Sequence, residues 1–143
     1  MNANSRVPTL SPVVLAIAAG APAIAHHSTI YFDLDAEVVH ENVRVVEFHV
    51  ANPHGVLVYA VADDAGNEVV WNAELPSANF TMRGGVFASM LSPGDVLPVV
   101  VGWPGIPDRT REHFTRLKSM TLANGDVATF TITSATLTPA ETE

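Results

Sequence analysis

A small all-β barrel of the OB type, an antiparallel Greek key with a short helical insert, is the fold this chain predicts. Three observations predict it. From residue 38 onward Val, Thr and Phe dominate, and turn signals recur at short intervals. The first strand changes its apolar face part-way along, as a strand that pairs in both halves of a barrel does. A helical stretch stands between the third and fourth strands. An immunoglobulin-like antiparallel sandwich is the alternative, and the helical insert favours the barrel.

The elements follow in order. Residues 38–50 form the first strand. Its odd positions Val39, Val43 and Val45 are apolar, and then its even positions Val46, Phe48 and Val50. A bulge or sharp bend near Val45-Val46 accounts for the switch. Asn52-Pro53-His54-Gly55 fits a type I turn, with Pro second and Gly fourth. Residues 56–62 are the second strand, and Asp63-Asp64-Ala65-Gly66-Asn67 is a hairpin loop. Residues 68–75 are the third strand, with Val69, Trp71, Ala73 and Leu75 on one face.

Pro76-Ser77 then opens the helical part, Ser77 being the expected N-cap. Gly84-Gly85 divides it into two short pieces, 77–83 and 86–91. Ser92-Pro93-Gly94-Asp95 is a turn. Residues 96–103 are the fourth strand, where Pro98 calls for an edge or a bulge. Trp103-Pro104-Gly105-Ile106-Pro107 is expected as loop and 108–113 as a polar exposed stretch. Residues 117–122 are the fifth strand, Asn124-Gly125 a hairpin turn, and 127–137 one last strand.

Upstream of this domain lies a different pattern. Residues 1–25 carry one charge, Arg6, then the apolar run Val13-Val14-Leu15-Ala16-Ile17-Ala18-Ala19, then Ala23-Ile24-Ala25. A basic start, a short apolar centre and small residues before the cut describe a secretory signal peptide. The organisation expected is a signal peptide at 1–25, an extended segment at 26–37, the barrel at 38–138 and a flexible tail at 139–143. Cleavage after Ala25, or alternatively after Ala23, predicts a periplasmic or secreted protein. The leader run is too short for a membrane span and no later segment is long and apolar enough, so no span is expected after cleavage.

Composition narrows the function. The 143 residues make one domain. Seven Lys and Arg oppose 15 Asp and Glu, for a formal charge of −8. Such a surface repels phosphate backbones, so no nucleic-acid partner is expected. The count of zero cysteines excludes thiol catalysis, zinc-thiolate sites and c-type haem. No nucleophile elbow surrounds a serine, no phosphate-binding glycine loop occurs, and no acidic stretch matches the calcium loop. A hydrolase is therefore the least favoured class.

Several short motifs stand together: Ala25-His26-His27-Ser28, Phe32-Asp33, Phe48 and Asn52-Pro53-His54. Through them the chain resembles a family of small exported bacterial domains of unknown function. The Trp71 strand, Arg83-Gly84, Pro93-Gly94-Asp95, Gly102-Trp103-Pro104 and Asn124-Gly125 also look like that family, over roughly residues 15–128. The chain departs from the pattern at Val50-Ala51, where a bulkier residue, often tryptophan, is expected. The resemblance implies export and a small barrel, and no established activity.

Six histidines are the one enriched ligand type: His26, His27, His40, His49, His54 and His113. Cleavage after Ala25 exposes an α-amine on His26. An ordinary α-amine has a pKa of about 7.7–8.0, so part of it carries a lone pair near neutrality. Amine and imidazole then chelate, and His27 or His54 adds a further nitrogen, a donor set suited to Cu(II). Cleavage after Ala23 puts histidine third, which also suits Cu(II) or Ni(II). The expected metal residues are His26, His27 and His54, with copper the expected cargo. The plain alternatives are a polar start tolerated by the signal protease and a turn residue at His54. By strand parity His40 and His49 face opposite ways, and His113 is expected in solvent.

A second function class is a periplasmic domain that holds a protein or small ligand without metal. Asn52, Tyr59 and Trp103 are the expected ligand-binding residues. Tyr59 would stand on the face of the second and third strands, and Trp103 at a strand end where it caps the barrel or lines a groove.

Overall fold

The computed structural model describes residues 29–141. Seven strands and one short helix are built from them: β1 (Val38–His49), β2 (Val56–Ala62), β3 (Glu68–Glu74), α1 (Ala78–Arg83), β4 (Val96–Pro104), β5 (Phe114–Thr121), β6 (Val127–Phe130) and β7 (Ala135–Thr138). Three-residue 3-10 turns stand at Thr29–Tyr31 and Ala88–Met90.

β1 pairs antiparallel with β2 on one edge and β4 on the other. β2 pairs with β3, and β4 with β5. A parallel pairing of β3 with β5, Asn72↔Phe114 to Glu74↔Arg116, closes the ring. The circuit β1-β2-β3-β5-β4 is the expected Greek-key barrel, not a two-sheet sandwich. β5 divides its second edge: residues 114–116 go to β3 and 119–121 go to β6. The β6–β7 hairpin therefore continues the sheet outside the five-strand circuit.

The sequence pattern explains β1 in part. Its register against β2 shifts between Val45 and Glu47, so Val43, Val45 and then Phe48 all face inward. A second switch was not visible in the apolar pattern. Asn42 has φ 51°, a left-handed conformation that Asn tolerates better than most residues. It lies opposite Pro98 in the register with β4, where Pro has no N–H to give. His40 thus turns partly inward, and Val39, expected inside, is exposed. Pro98 is accommodated because β5 joins β4 only from Val99.

Other expectations are corrected. β4 runs through Trp103, as its expected bounds had it, and one residue further to Pro104, and Gly105 bridges to Phe32, because the Pro104 carbonyl accepts the Asp33 N–H. β5 starts at Phe114, three residues before its expected start at Leu117, since Thr115 and Arg116 are buried by pairing with β3. The single last strand is a hairpin. At its tip the Thr131 N–H donates to the Ser134 carbonyl and the two hydroxyls bond at 2.7 Å. Residues 29–31 of the segment expected as extended form a 3-10 turn, and the Ala140 N–H in the expected tail donates to Asp126.

The core draws on every strand. Val43, Val45, Leu57, Tyr59, Leu75, Leu97, Val100, Leu117 and Met120 are buried, as are Phe130 and Ala135 from the terminal hairpin. α1 covers one end and docks on β7, where the Leu137 N–H donates to the Gly84 carbonyl at 2.8 Å.

Candidate functional site

His26 and His27 lie outside the described residues. His54, Asn52, Tyr59 and Trp103 lie within them, in three separate neighbourhoods. Among the described residues no three His, Asp or Glu side chains are gathered to hold a metal ion.

His54 follows a cis Asn52–Pro53 bond in the loop between β1 and β2. The type I turn expected there is a bend without the turn's own hydrogen bond, because tertiary partners take its polar groups. The Gly55 N–H donates to the Pro76 carbonyl, and the Gly55 carbonyl accepts the Leu75 N–H. Asn52 Oδ1 accepts the Ala78 N–H at 3.1 Å, shared with the Ala51 carbonyl. Asn52 therefore satisfies a donor of the first turn of α1, while Ser77 occupies the N-cap position without a side-chain bond.

His54 Nδ1 lies 3.3 Å from the Leu75 carbonyl oxygen and 3.4 Å from Glu74 Oε1. The same Oε1 accepts a hydrogen bond from the Arg116 guanidinium at 2.7 Å, and Arg116 also donates to the Ile132 carbonyl at 3.0 Å. Arg116 is 4% exposed, and its Nε has no partner among the described residues. Burial pushes the Arg116 pKa down, and the Glu74 charge and hydrogen bond push it back up. A cleft of about 110 Å³ opens beside His54, lined by Ser77, Phe80, Ile132 and Thr133.

The second neighbourhood is centred on Trp71. Tyr59 does not stand on an outer surface: it is 1% exposed, and its hydroxyl lies 3.0 Å from His40 Nδ1. Burial raises the Tyr59 pKa, so the phenol stays protonated. The Trp71 ring is 4.5 Å from His40 and 4.9 Å from His113, both tilted. Burial, and then the nearby His113, lower the His40 pKa. His113 is held in place by its left-handed backbone, φ 53°, and by its carbonyl, which accepts the Asn72 N–H at 2.9 Å. It is exposed, as expected, yet its ring packs on Trp71. Two clefts adjoin this wall. One, about 310 Å³, is lined by His40, Val61, Asp63, Asp64, Val69 and Trp71. The other, about 490 Å³, runs under the 105–113 loop.

Trp103 makes the third neighbourhood. Its ring is half-buried beside Lys118, whose ammonium is 5.7 Å from the ring centroid and paired with Glu37. Residues 14–113 match a family described as a family of unknown function (DUF6152). The chain belongs to that family. No curated protein and no solved structure matches it. Its family membership thus brings no activity with it, and chemistry must be argued from the residues.

Sequence reasoning did not find the His40–Trp71–His113 group, nor Glu74 and Arg116. Both depend on the β3–β5 pairing, which no local pattern signals. His54 was legible, through Asn-Pro-His.

Proposed function

We propose that this DUF6152 barrel is an exported binding module that captures Cu(II), with the His26 amine and imidazole as the first donors and His27 or His54 completing the set. The leader pattern before His26 supports export and a free N-terminal histidine. One structural observation carries the part of the reading that concerns His54. A carbonyl oxygen only accepts, so the His54–Leu75 contact requires the proton on Nδ1. In that tautomer Nε2 is the ring nitrogen of the kind that ligates a metal. The acidic surface attracts a divalent cation.

The test is calorimetric titration of the secreted protein with Cu(II), after its intact mass has fixed the cleavage site. One Cu(II) per chain is expected, with loss of tight binding when the N-terminus is acetylated and weaker binding in His54→Ala. Equal affinity in the blocked protein overturns the reading.

A second reading, a periplasmic domain that holds a small ligand or protein without metal, is favoured by the clefts against Trp71 and His113. Trp71 on β3 and the loop before β5 occupy the region that OB-type barrels use for ligands, a warrant from fold analogy. Under it, Trp71→Ala abolishes ligand-induced changes in fluorescence while His26→Ala leaves them intact.

A further inference from the structure

We propose that the cleft between β1 and the β2–β3 hairpin binds a small organic cation, a primary ammonium with a short apolar or aromatic body. Such a ligand belongs to the second reading above, the metal-free ligand domain, and rests on it.

The cleft exists because the sheet forks. The β1–β2 ladder runs from His49↔Val56 to Arg44↔Ala60. Beyond that pair β1 continues along β4, while Val61 and Ala62 of β2 continue along β3. Asn42, two residues past the last pair, interrupts the regular strand with its φ of 51°. Val61, Ala62 and Val69 are too short to fill the gap, which measures about 310 Å³ and is at the low end for a small-ligand cleft. Trp71 forms its aromatic wall, with the ring held against His40 at 4.5 Å and His113 at 4.9 Å. The Tyr59 hydroxyl, 3.0 Å from His40 Nδ1, fixes His40 in turn. The wall is therefore set before any ligand arrives, which lowers the cost of ordering on binding.

The charges that line this cleft have one sign. Asp63 and Asp64, both exposed, stand at its hairpin end, and no Lys or Arg lines it. Asp63 accepts hydrogen bonds from the Asn67 side chain and from the Asn67 and Ala65 N–H groups, which lower its pKa and keep it ionised. Asp64 takes no part in those bonds, so its carboxylate is left to face a ligand. His40 adds no positive charge at neutral pH, since burial and then His113 lower its pKa. An anion therefore meets only repulsion here. A metal ion lacks its donors, because no three His, Asp or Glu side chains gather among the described residues. An ammonium at Asp64, with its apolar body against Val61, Val69 and Trp71, matches both the charge and the wall. The formal charge of −8 adds long-range attraction for the same ligand.

The experiment titrates the full processed chain with phenethylammonium, phenethyl alcohol and phenylacetate, which share a ring and differ in charge. Proton–nitrogen correlation spectra read the cleft through the Trp71 indole, with the Trp103 indole as an internal control. Phenethylammonium is expected to shift the Trp71 signal saturably in the millimolar range and to leave Trp103 unmoved. The alcohol is expected to bind several-fold more weakly, and phenylacetate most weakly of all. Asp64→Asn, an exposed change outside the strands, is expected to weaken the cation about two- to fivefold and to leave the alcohol unchanged. Asp64→Lys is expected to remove the preference for the cation. Glu47→Gln removes one charge from an exposed acid that does not line the cleft and is expected to change nothing. Equal binding of cation and alcohol, or an equal loss in Asp64→Asn and Glu47→Gln, overturns the cation class and leaves the ligand cleft standing. If none of the three probes moves the Trp71 signal, the second reading falls and the cation site falls with it.

Discussion

His40 and Tyr59 share one hydrogen bond but pay for burial in different ways. Tyr59 keeps its proton, so its neutral form is simply reinforced. His40 loses its charged form, first to burial and then to His113. The sign of the resulting pH dependence follows. Below the ordinary value of 6.5 the unfolded chain takes up the His40 proton more readily than the folded one, so acidification through that range favours unfolding. Stability attributable to His40 is therefore full above 6.5 and lost as the pH falls through its lowered folded pKa. Urea denaturation at pH 7.5 and 5.5 checks this: His40→Gln is expected to shrink the difference between the two midpoints. An undiminished difference would assign it to other groups. At this scale the sequence marked His54 through its motif and placed His113 in solvent, where it is exposed, but it put Tyr59 on a surface when it is buried. That error has a plain origin, since side-chain surroundings depend on strands far away in the chain.

Element boundaries were legible wherever a local signal acts alone. The hairpin at Asp63–Asn67, the short helix ended by Gly84-Gly85 and the Asn124-Gly125 turn all stand as expected. Gly84 has a further duty, because a Cβ there would lie 2.1 Å from the Ala135 carbonyl oxygen. Gly84→Ala is expected to push α1 off β7 and cost about 1–3 kcal/mol in chemical denaturation. Gly66→Ala makes a useful contrast. Its added Cβ meets nothing, and its φ of 83° carries only backbone strain, expected to cost roughly 1 kcal/mol. Asn52→Ala removes one of two acceptors for the Ala78 N–H, so a loss of about 0.5–1 kcal/mol is expected, at the low end for a cap. Strands misread from the sequence were those whose ends lack apolar alternation. Thr115 and Arg116 look like loop residues and become β5 only because β3 lies beside them.

For the molecule as a whole, closure through β3–β5 and completion through β6–β7 are separate acts. Phe130 belongs to the hairpin outside the five-strand circuit, yet it is 3% exposed and part of the core. Phe130→Ala is expected to cost roughly 3–5 kcal/mol, measured by the shift of the denaturant midpoint. A small shift would mean that the circuit is stable without its hairpin. The alternation of apolar residues, the turn residues and the helical interruption determined by themselves that this is an all-β barrel of the OB type, because each acts over a few neighbouring residues. Only the tertiary structure decided that Glu74 meets Arg116 and His54, and that His40 and His113 meet Trp71. The Glu74–Arg116 and Trp71–His113 contacts each join residues 42 positions apart, and these two exist only once β5 has come back to lie against β3.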